Sequence, residues 1–286
     1  MILSVVIITQ NEELNLARTL ESVKPLVADG KGEIIIVDSG STDRTVEIAE
    51  SFGAKVFVEE WKGYAAQKNS AIEKATGDWI LSLDADEEVE STLVKELVGH
   101  PTDQPLPQMS PREWCLTMEQ ATNASANLDM LKGRPAGFSI RRKNFFLGRW
   151  IQHGGFWPDP KLRLFRQGHG RCEARSVHEI IHLHGRVVTI NCGSLIHHSY
   201  PTLSDYIEHM NRYSSLGAEM VVAKGKGKVR FSVINIALRP LATFVYNYFF
   251  RLGFLDGREG LLLHLYHAVY VSWKYAKAWE LSRKQS

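Results

Sequence analysis

Short apolar runs, each followed by a polar turn, alternate with helical patterns in the N-terminal third of the chain. The apolar runs cover residues 3–8, 33–37, 54–58 and 79–83, and β-branched residues dominate the first two, as is typical of buried strands. Apolar residues recur at helical spacing in the stretches between them, at 14–23, 46–52 and about 64–75. This alternation predicts an α/β fold, with a mostly parallel sheet, right-handed crossovers and helices on its faces.

Acidic side chains follow three of these predicted strands. Glu12 lies in the turn after the first strand, Asp38 follows the second, and the last strand ends in Asp84 and Asp86. Ligands of open α/β sheets bind outside the carboxyl ends of the strands. We therefore expect one aspartate of the last pair to reach a ribose and the other a hard divalent cation. A solvated turn is the alternative for an isolated Asp-x-Asp.

The motifs in these turns occur in the order and spacing of a known family. The stretches 5–13 and 36–45, the triplet Gln67-Lys68-Asn69 and the cluster Asp84-Ala85-Asp86-Glu87 resemble a family 2 glycosyltransferase with the GT-A fold. Later motifs at 141–150, 153–155, 162–166, 177–179 and 197–200 resemble the bacterial lipopolysaccharide core β-1,4-glucosyltransferases. The resemblance covers most of the chain and fails between about 100 and 135.

The resemblance implies a set of residues for a UDP-sugar donor and its metal. The residues expected at the nucleotide are Thr9, Glu12, Asp38, Lys68 and Asp84, and those expected at Mg²⁺ or Mn²⁺ are Asp86 and His197. Asp38 is assigned to the uracil imide, Lys68 to base or phosphate, and Asp84 to the ribose. The alternatives are a turn-capping acid at Asp38, a solvated lysine, and a packed histidine at 197.

An inverting transfer also needs a base for the acceptor hydroxyl. Glu179 is the first choice, because Val177-His178-Glu179 matches a motif of the subfamily. Many family members instead carry an Asp in a Glu-Asp pair at that place, so this chain departs from the commoner pattern. Asp159 is the second choice and Glu173 a distant third.

The expected acceptor is a membrane-held glycolipid such as the lipopolysaccharide inner core. Arginines and a lysine between residues 141 and 166 are interleaved with Phe and Trp, and such mixtures suit phosphates and sugar rings. A polyprenyl phosphate or another envelope glycan is the alternative acceptor. A net charge of only +2 gives no support for nucleic-acid binding.

Other classes of protein fit the sequence less well. A sugar-phosphate nucleotidyltransferase needs a Gly-rich first loop, and Thr9-Gln10-Asn11-Glu12 stands there instead. A non-catalytic nucleotide-binding or scaffold protein stays open, although Asp84, Asp86 and Glu179 are all present. Three scattered cysteines predict reduced thiols. The N-terminal run resembles no signal peptide, which predicts a cytoplasmic catalytic domain.

The chain changes character in its last third. Residues 231–255 are apolar and aromatic but are interrupted by polar residues, so a helix lying in the anionic inner face of the cytoplasmic membrane is expected rather than a spanning one. Residues 253–257 predict a turn before a second amphipathic helix. The predicted division is therefore a catalytic domain at 1–228 and a helical appendage at 229–286. Packing of this appendage on the catalytic domain or on a second subunit is the alternative.

Overall fold

The computed structural model describes residues 2–99, 135–173, 180–225 and 229–284. These residues divide into two compact units. The first unit contains residues 2–99, 135–142, 160–173 and 180–197, and the second contains residues 143–159, 198–225 and 229–284. The stretch between about 100 and 135, where the resemblance to the family fails, lies almost entirely outside the described residues.

The strands build one large sheet and one short ribbon. In chain order they are β1 Leu3–Thr9, β2 Gly32–Asp38, β3 Lys55–Val58, β4 Trp79–Asp84, β5 Glu87–Val89, β6 Gly137–Phe146, β7 Arg149–Trp150, β8 Pro160–Arg166, β9 Gly170–Glu173, β10 Ile180–Leu183 and β11 Val187–Tyr200. The large sheet has the order β3-β2-β1-β4-β8-β6-β11-β5, with β7 paired to β6, and β9 and β10 form the ribbon.

The four N-terminal strands are parallel, and the later strands add antiparallel pairs. β1 lies between β2 and β4, and β3 pairs with β2, all in parallel. β8 pairs antiparallel with both β4 and β6, and β5 pairs antiparallel with β11. The predicted α/β class, with parallel strands flanked by helices, is confirmed.

β1, β2 and β4 are apolar because both of their faces are covered, whereas the edge strand β3 is largely exposed. Ile36, Ile7 and Leu83 lie side by side across β2, β1 and β4, and each is at most 1% exposed. A strand buried on both faces needs a continuous apolar run, since alternating polar residues would lose water without gaining partners. The sequence pattern therefore located these strands to within a residue or two.

Helices cover the parallel strands. They are α1 Leu16–Val27, α2 Thr45–Ser51, α3 Tyr64–Glu73 and α4 Ser91–Gly99. Leu16, Leu20 and Val23 of α1 are fully buried, as their spacing predicted. Leu14 was predicted to share this face, but it precedes the helix and is 86% exposed. Asp43, predicted to cap α2, lies one residue before the N-cap Arg44 and accepts a hydrogen bond from the backbone N–H of Thr45, the first residue of the helix.

The second unit is mainly helical. α5 Leu203–Lys224 begins with a capping box of Thr202 and Asp205 and packs along α7 Gly257–Lys284. Between them lies α6 Arg239–Val245, flanked by π-helical turns at Ile234–Leu238 and Tyr246–Phe250 and followed by a 3₁₀ turn at Gly253–Asp256. The predicted turn at 253–257 and the helix after it are confirmed. No described helix is both long enough and apolar enough to cross a membrane.

The cysteines divide into two kinds. Cys172 is a buried free thiol, as expected. Cys192 is disulfide-bonded, so the expectation of a reduced thiol is wrong there. Cys115 lies outside the described residues.

Candidate active site

Three polar side chains lie at the carboxyl ends of neighbouring parallel strands in the first unit. Thr9 ends β1 and pairs in register with Asp38 at the end of β2, while Asp84 ends β4 opposite Ile8 of β1. Parallel strands in this register end at the same edge of the sheet, which is where open α/β sheets bind nucleotides. The fold therefore brings together three of the residues that the sequence predicted for the nucleotide.

Asp38 is fully buried, and its own turn uses both of its carboxylate oxygens. One oxygen accepts hydrogen bonds from the backbone N–H groups of Gly40 and Ser41, at 2.9 and 2.7 Å. The other accepts from the hydroxyls of Thr9, at 2.8 Å, and Ser41, at 2.5 Å. Four acceptor interactions saturate a carboxylate, so Asp38 shapes the turn in this state. A contact with a nucleobase requires one hydroxyl to rotate away.

Asp84 is held between two cations. The Lys68 Nζ lies 2.8 Å from Asp84 Oδ1, and Arg163 donates to Asp84 Oδ2. Burial alone raises the pKa of this carboxyl group, but the charges of Arg163 and Lys68 outweigh burial and hold the pKa well below its usual range. Asp84 is therefore ionised, and Lys68 is a buried partner of this acid and not a solvated lysine.

Glu87 connects the same arginine to the turn of the Asp84-Ala85-Asp86 cluster. It is completely buried and accepts from Arg163 at 2.6 Å and from Arg142 at 3.2 Å. Its second oxygen accepts the backbone N–H of Asp84 at 3.1 Å. Sequence reasoning quoted Glu87 as part of the cluster but gave it no role, and it placed Arg142 and Arg163 on the acceptor side. Arg163 is buried and Arg142 is partly buried, and both contact this carboxylate; their role towards an acceptor stays a prediction.

Asp86 lies directly beside the histidine that was expected to share its metal. The His197 Nε2 is 3.2 Å from Asp86 Oδ2, because β11 pairs with β5 and places His197 opposite Glu87. Burial raises the pKa of Asp86, and the neighbouring His197 more than reverses this, so the pKa is lowered. The next residue, His198, instead stacks against Phe145 in the second unit.

This pair combines two types of side chain that bind divalent metals. Carboxylate oxygen and imidazole nitrogen are ligands that Mn²⁺ accepts, so the pair fits the predicted ion. Among the residues that the structure describes, no group of three or more His, Cys, Asp or Glu side chains is arranged around a common point. Asp86 and His197 are the described residues that would hold such an ion.

Glu12 contributes negative charge to the same edge. Burial raises its pKa, a hydrogen bond from Asn15 opposes this, and the charges of Asp86 and Asp84 raise the pKa further. Its backbone N–H donates to Thr45 at the start of α2. A partly buried acid with a raised pKa near two ionised aspartates favours a cation or a ligand hydroxyl as its partner.

Adjacent residues of α3 contact two different parts of the first unit. Lys68 reaches Asp84, whereas the Asn69 side chain exchanges two hydrogen bonds, both 2.8 Å, with the backbone N–H and C=O of Cys172 in β9. Asn69 belongs to the Gln67-Lys68-Asn69 motif, but the sequence did not predict this role because its partner lies over one hundred residues away. The strand that it holds ends at Glu173, just before the segment that carries Glu179.

The three candidates for the catalytic base lie in different parts of the chain, and the structure describes two of them. Glu179 lies outside the described residues. Asp159 belongs to the second unit, where its Oδ2 accepts from the Asn144 side chain at 3.2 Å. Glu173 is exposed and lies 2.7 Å from His182 across the ribbon. The choice among these carboxylates therefore stays a prediction.

An aromatic surface lies next to Asp159 in the second unit. The rings of Trp150 and Trp157 meet edge to face at 5.3 Å, and the Lys143 ammonium lies 4.9 Å from the centre of the Trp150 ring. Amphipathic rings beside a cation suit a sugar that carries negative charge. These three residues belong to the predicted acceptor set, and their role towards an acceptor stays a prediction.

Comparison with known proteins identifies relatives along the whole chain. The profile described as "Glycosyl transferase family 2" matches residues 4–108. An uncharacterized glycosyltransferase of Rickettsia typhi is 30% identical over 293 residues, covering 99% of this chain and 88% of that protein. The lipopolysaccharide core biosynthesis glycosyltransferase LpsC of Rhizobium meliloti is 30% identical, covering 97% of this chain and 92% of LpsC.

Similarity to solved structures is more local. Glucosyl-3-phosphoglycerate synthase from Mycobacterium tuberculosis, solved with Mn²⁺, uridine diphosphate and glucosyl-3-phosphoglycerate, is 28% identical over the matched part. That part covers 32% of this chain and 36% of the synthase, with a TM-score of 0.29.

Proposed function

Since this chain belongs to family 2 of the glycosyltransferases, we propose that it is an inverting, metal-dependent enzyme that transfers a hexose from a UDP-sugar to a membrane glycolipid. Glucose is the proposed sugar and the lipopolysaccharide inner core the proposed acceptor. The similarity to LpsC, which is named for lipopolysaccharide core biosynthesis, supports the acceptor class. One observation supports the proposed sugar donor. Asp84, paired with Lys68, lies two residues from Asp86, which contacts His197.

The sugar donor is proposed to bind along the edge formed by the ends of β1, β2 and β4. Thr9, Glu12 and Asp38 would contact the nucleoside, with Asp38 accepting from the uracil imide after one of its hydroxyl partners turns away. Asp84 would bind the ribose. Lys68, whose ammonium lies 2.8 Å from Asp84, is proposed to contact the base or a phosphate oxygen.

Asp86 and His197 are proposed to hold the divalent ion, Mg²⁺ or Mn²⁺. When bound, such an ion offsets the negative charge that develops on the departing diphosphate. Two contacts would orient Asp86 for such an ion. Glu87 accepts the backbone N–H of Asp84 and so holds the turn that carries Asp86, and His197 contacts the Asp86 carboxylate directly. The direct His197–Asp86 contact is the one that an ion would replace.

The transfer itself requires a carboxylate that the sugar donor does not use. The acceptor hydroxyl loses its proton to this carboxylate, its oxygen forms the bond to the anomeric carbon, and the bond from that carbon to UDP breaks on the opposite face. We propose Glu179 as the base, with Asp159 as the alternative. Asp159 is half-buried and bonded to Asn144, which would keep its carboxylate oriented.

The C-terminal segment 229–286 is proposed to bind the anionic inner face of the cytoplasmic membrane peripherally. Large apolar side chains of this segment are exposed, including Ile234 at 64% and Leu241 at 59%. A surface of this kind marks a membrane or protein contact. Contact with a second copy of the chain is the alternative outcome of the same experiments.

Calorimetry tests the proposed sugar donor and metal together. We expect UDP-glucose to bind in the presence of Mn²⁺ and to be released by a chelator, and we expect Asp86→Ala to lose metal-dependent binding and to lower turnover by about 10²–10³-fold. The matched control is Glu88→Gln, two residues away, whose carboxylate pairs with Arg18 instead. Equal loss in both variants would contradict the metal assignment.

Acceptor competition separates the remaining alternatives. Release of UDP in the presence of membranes that contain truncated lipopolysaccharide supports the glycolipid acceptor. Release of UDP only in the presence of polyprenyl phosphate supports the polyprenyl phosphate acceptor. Metal-dependent binding of UDP-glucose without release of UDP for any acceptor would identify a non-catalytic nucleotide-binding protein.

A further inference from the structure

One short segment of the second unit has an apolar outer side and a polar inner side. This segment, Phe249–Asp256, is called the tip here. Its outward residues are large and exposed: Phe249 at 54%, Phe250 at 75%, Leu252 at 45%, Phe254 at 43% and Leu255 at 49%. Gly253 and Asp256, which alternate with them, are buried.

The inner side of the tip holds the loop Gln152–Asp159. Asp256, 1% exposed, accepts hydrogen bonds from the backbone N–H of Gln152 at 3.2 Å and of His153 at 2.8 Å, and lies 3.0 Å from His153 Nδ1. The backbone N–H of Gly154 donates to the carbonyl of Arg251 at 2.9 Å. Three successive loop residues are therefore bound to the tip through backbone groups, which fixes the position of the loop and not only of one side chain.

Glycines allow this close approach. A Cβ atom on Gly154 would lie 2.0 Å from the ring of His264 in α7, and one on Gly155 would lie 2.0 Å from the Arg251 guanidinium. Gly253 of the tip contacts the same histidine ring, where a Cβ would lie 2.3 Å from Nε2. His264 is 1% exposed, and burial lowers its pKa to about 4. It therefore packs as a neutral ring between loop and tip.

The far end of the loop leads to the acceptor-side residues. The Asn144 side chain donates to the carbonyl of Phe156 at 3.4 Å and to Asp159 at 3.2 Å. Trp157, in the same loop, meets Trp150 beside Lys143. The loop is thus held by the tip at its start and by Asn144 at its end, and it presents the aromatic surface between them.

The charge around the tip identifies the partner. Between residues 229 and 258 the exposed charged side chains are all arginines, namely Arg230, Arg239, Arg251 and Arg258. The one acid in this stretch, Asp256, is buried. Exposed phenylalanine and leucine in a stretch whose exposed charges are all positive match the headgroup boundary of an anionic bilayer. A second copy of the chain would bring the same arginines together.

We propose that the tip docks into an anionic lipid surface and that its inner side holds the Gln152–Asp159 loop at the depth of a glycolipid headgroup, with Asp256 as the positioning residue. The proposal rests on the proposed glycolipid acceptor and extends it, because one segment then performs both membrane contact and acceptor presentation. The tip connects the two functions without any movement, since both sides belong to the same eight-residue turn.

Vesicle flotation tests the outer side of the tip. We expect the wild-type chain to bind vesicles of phosphatidylcholine with phosphatidylglycerol, and Phe250→Glu to lower the bound fraction about tenfold or more. The matched control is Val98→Glu on α4, because Val98 is 52% exposed but lies in the first unit. Equal binding by wild type and Phe250→Glu would overturn the proposal. A wild-type dimer that Phe250→Glu converts to a monomer, without vesicle binding, would also overturn it in favour of a second copy.

Kinetics with the glycolipid in vesicles test the inner side. We expect Asp256→Asn and Gly154→Ala to lower kcat/KM for the acceptor about tenfold while the affinity for UDP-glucose is unchanged. A structural role alone would lower the melting temperature and affect both substrates. Unchanged kcat/KM in both variants would overturn the positioning role.

Two further measurements keep the outcome decisive. Where neither buried variant folds, His153→Ala removes only the side-chain contact with Asp256, since the His153 side chain is 32% exposed. We then expect a smaller fall in kcat/KM for the acceptor, again with unchanged affinity for UDP-glucose. Where the wild-type chain binds no UDP-sugar, the proposed function fails, whereas flotation of wild type and Phe250→Glu still decides whether the tip binds lipid.

Discussion

The two units of this protein depart from the usual distribution of polar and apolar groups in opposite directions. The first unit buries charge, with Glu87 at 0%, Lys68 at 4% and Arg163 at 6% exposure. The second unit exposes large apolar side chains, with Phe250 at 75% and Ile234 at 64%. Fully buried charges and contiguous exposed apolar patches are both uncommon. Each therefore marks a place where folding stability alone does not explain the residues.

The difference lies in where each departure is compensated. In the first unit, Arg163 meets both Asp84 and Glu87, and Lys68 meets Asp84, so the buried charges compensate one another within the fold. In the second unit, the outward side chains of the tip face water in the described structure. In the proposals above, a ligand would replace some contacts of the self-contained charge cluster, whereas a partner outside the chain would cover the apolar surface.

Replacing Arg163 should break the first half of this comparison most strongly. Arg163→Met keeps the volume of the side chain but leaves Asp84 and Glu87 buried with fewer cations. Removing one member of a buried ion pair costs about 3–5 kcal/mol, and we expect the free energy of unfolding in urea to fall by that amount.

Arg171→Met is the control for this substitution. Arg171 is 79% exposed and lies 4.0 Å from Glu73, which is 68% exposed, so the expected change is within about 0.5 kcal/mol. Equal effects of the two substitutions would mean that the carboxylates at 84 and 87 become protonated or reach water without cost, and that the cluster is not preorganised.

Asn69 should give the next largest effect. Asn69→Ala leaves the backbone N–H and C=O of Cys172 without their side-chain partner, which costs about 1–3 kcal/mol. We expect turnover to fall further than stability requires, because β9 leads into the segment of the proposed base, while calorimetric binding of UDP-glucose stays unchanged.

Ser70→Ala is the matched control on the same helix, since Ser70 bonds Glu59 and not β9. If Asn69→Ala weakened UDP-glucose binding as much as turnover, Asn69 would act through its neighbour Lys68, and β9 would carry no separate catalytic group.

In the first unit, the sequence predicted the features that depend on local patterns but not those that depend on distant pairings. The parallel strands and the residues at their ends were predictable, because apolar runs and the turns after them are local patterns. The pairing of Asp86 with His197 was anticipated only through the resemblance to the family, since the two residues are 111 positions apart in the sequence. Nothing local indicates that β8 lies antiparallel to β4, and that pairing is what brings Arg163 to Asp84.

The second unit shows a different limit. The apolar and basic character of residues 231–255 predicted an interfacial segment, but composition does not show which residues face inward. Asp256 was quoted only as part of a turn. Its hydrogen bonds to residues 152 and 153 span more than 100 positions, and the three glycines that permit the contact have no distinctive spacing.

Glu33 tests whether a hydrogen-bonded carboxylate away from the nucleotide edge affects stability alone. It accepts from Ser4, Lys55 and Thr76. Burial raises its pKa, and these donors together lower it from 4.5 to about 2. A folded pKa below the unfolded value means that the ionised group contributes stability that is fully present above about pH 4.5 and is lost as the pH falls towards about 2.

We therefore expect Glu33→Gln to be about 1–2 kcal/mol less stable than wild type at pH 7, with the difference shrinking as urea unfolding is repeated at lower pH. UDP-glucose binding should be unchanged at pH 7. A difference independent of pH would show that the amide loses packing and not charge, and lost binding would extend the functional cluster to the opposite end of β2.

The smallest expected effect on stability comes from the apolar surface of the second unit. Leu241 is 59% exposed on α6, and Leu241→Gln should change the free energy of unfolding by less than about 0.5 kcal/mol. Leu263→Gln is the control, since Leu263 on α7 is 1% exposed and its loss should cost about 2–5 kcal/mol. Vesicle binding should show the reverse order among the variants that fold, with Leu241→Gln weaker than wild type. If Leu241→Gln were instead as destabilising as Leu263→Gln, the surface would already be covered in solution by another copy of the chain, and the contrast between a self-compensated unit and an uncovered one would fail.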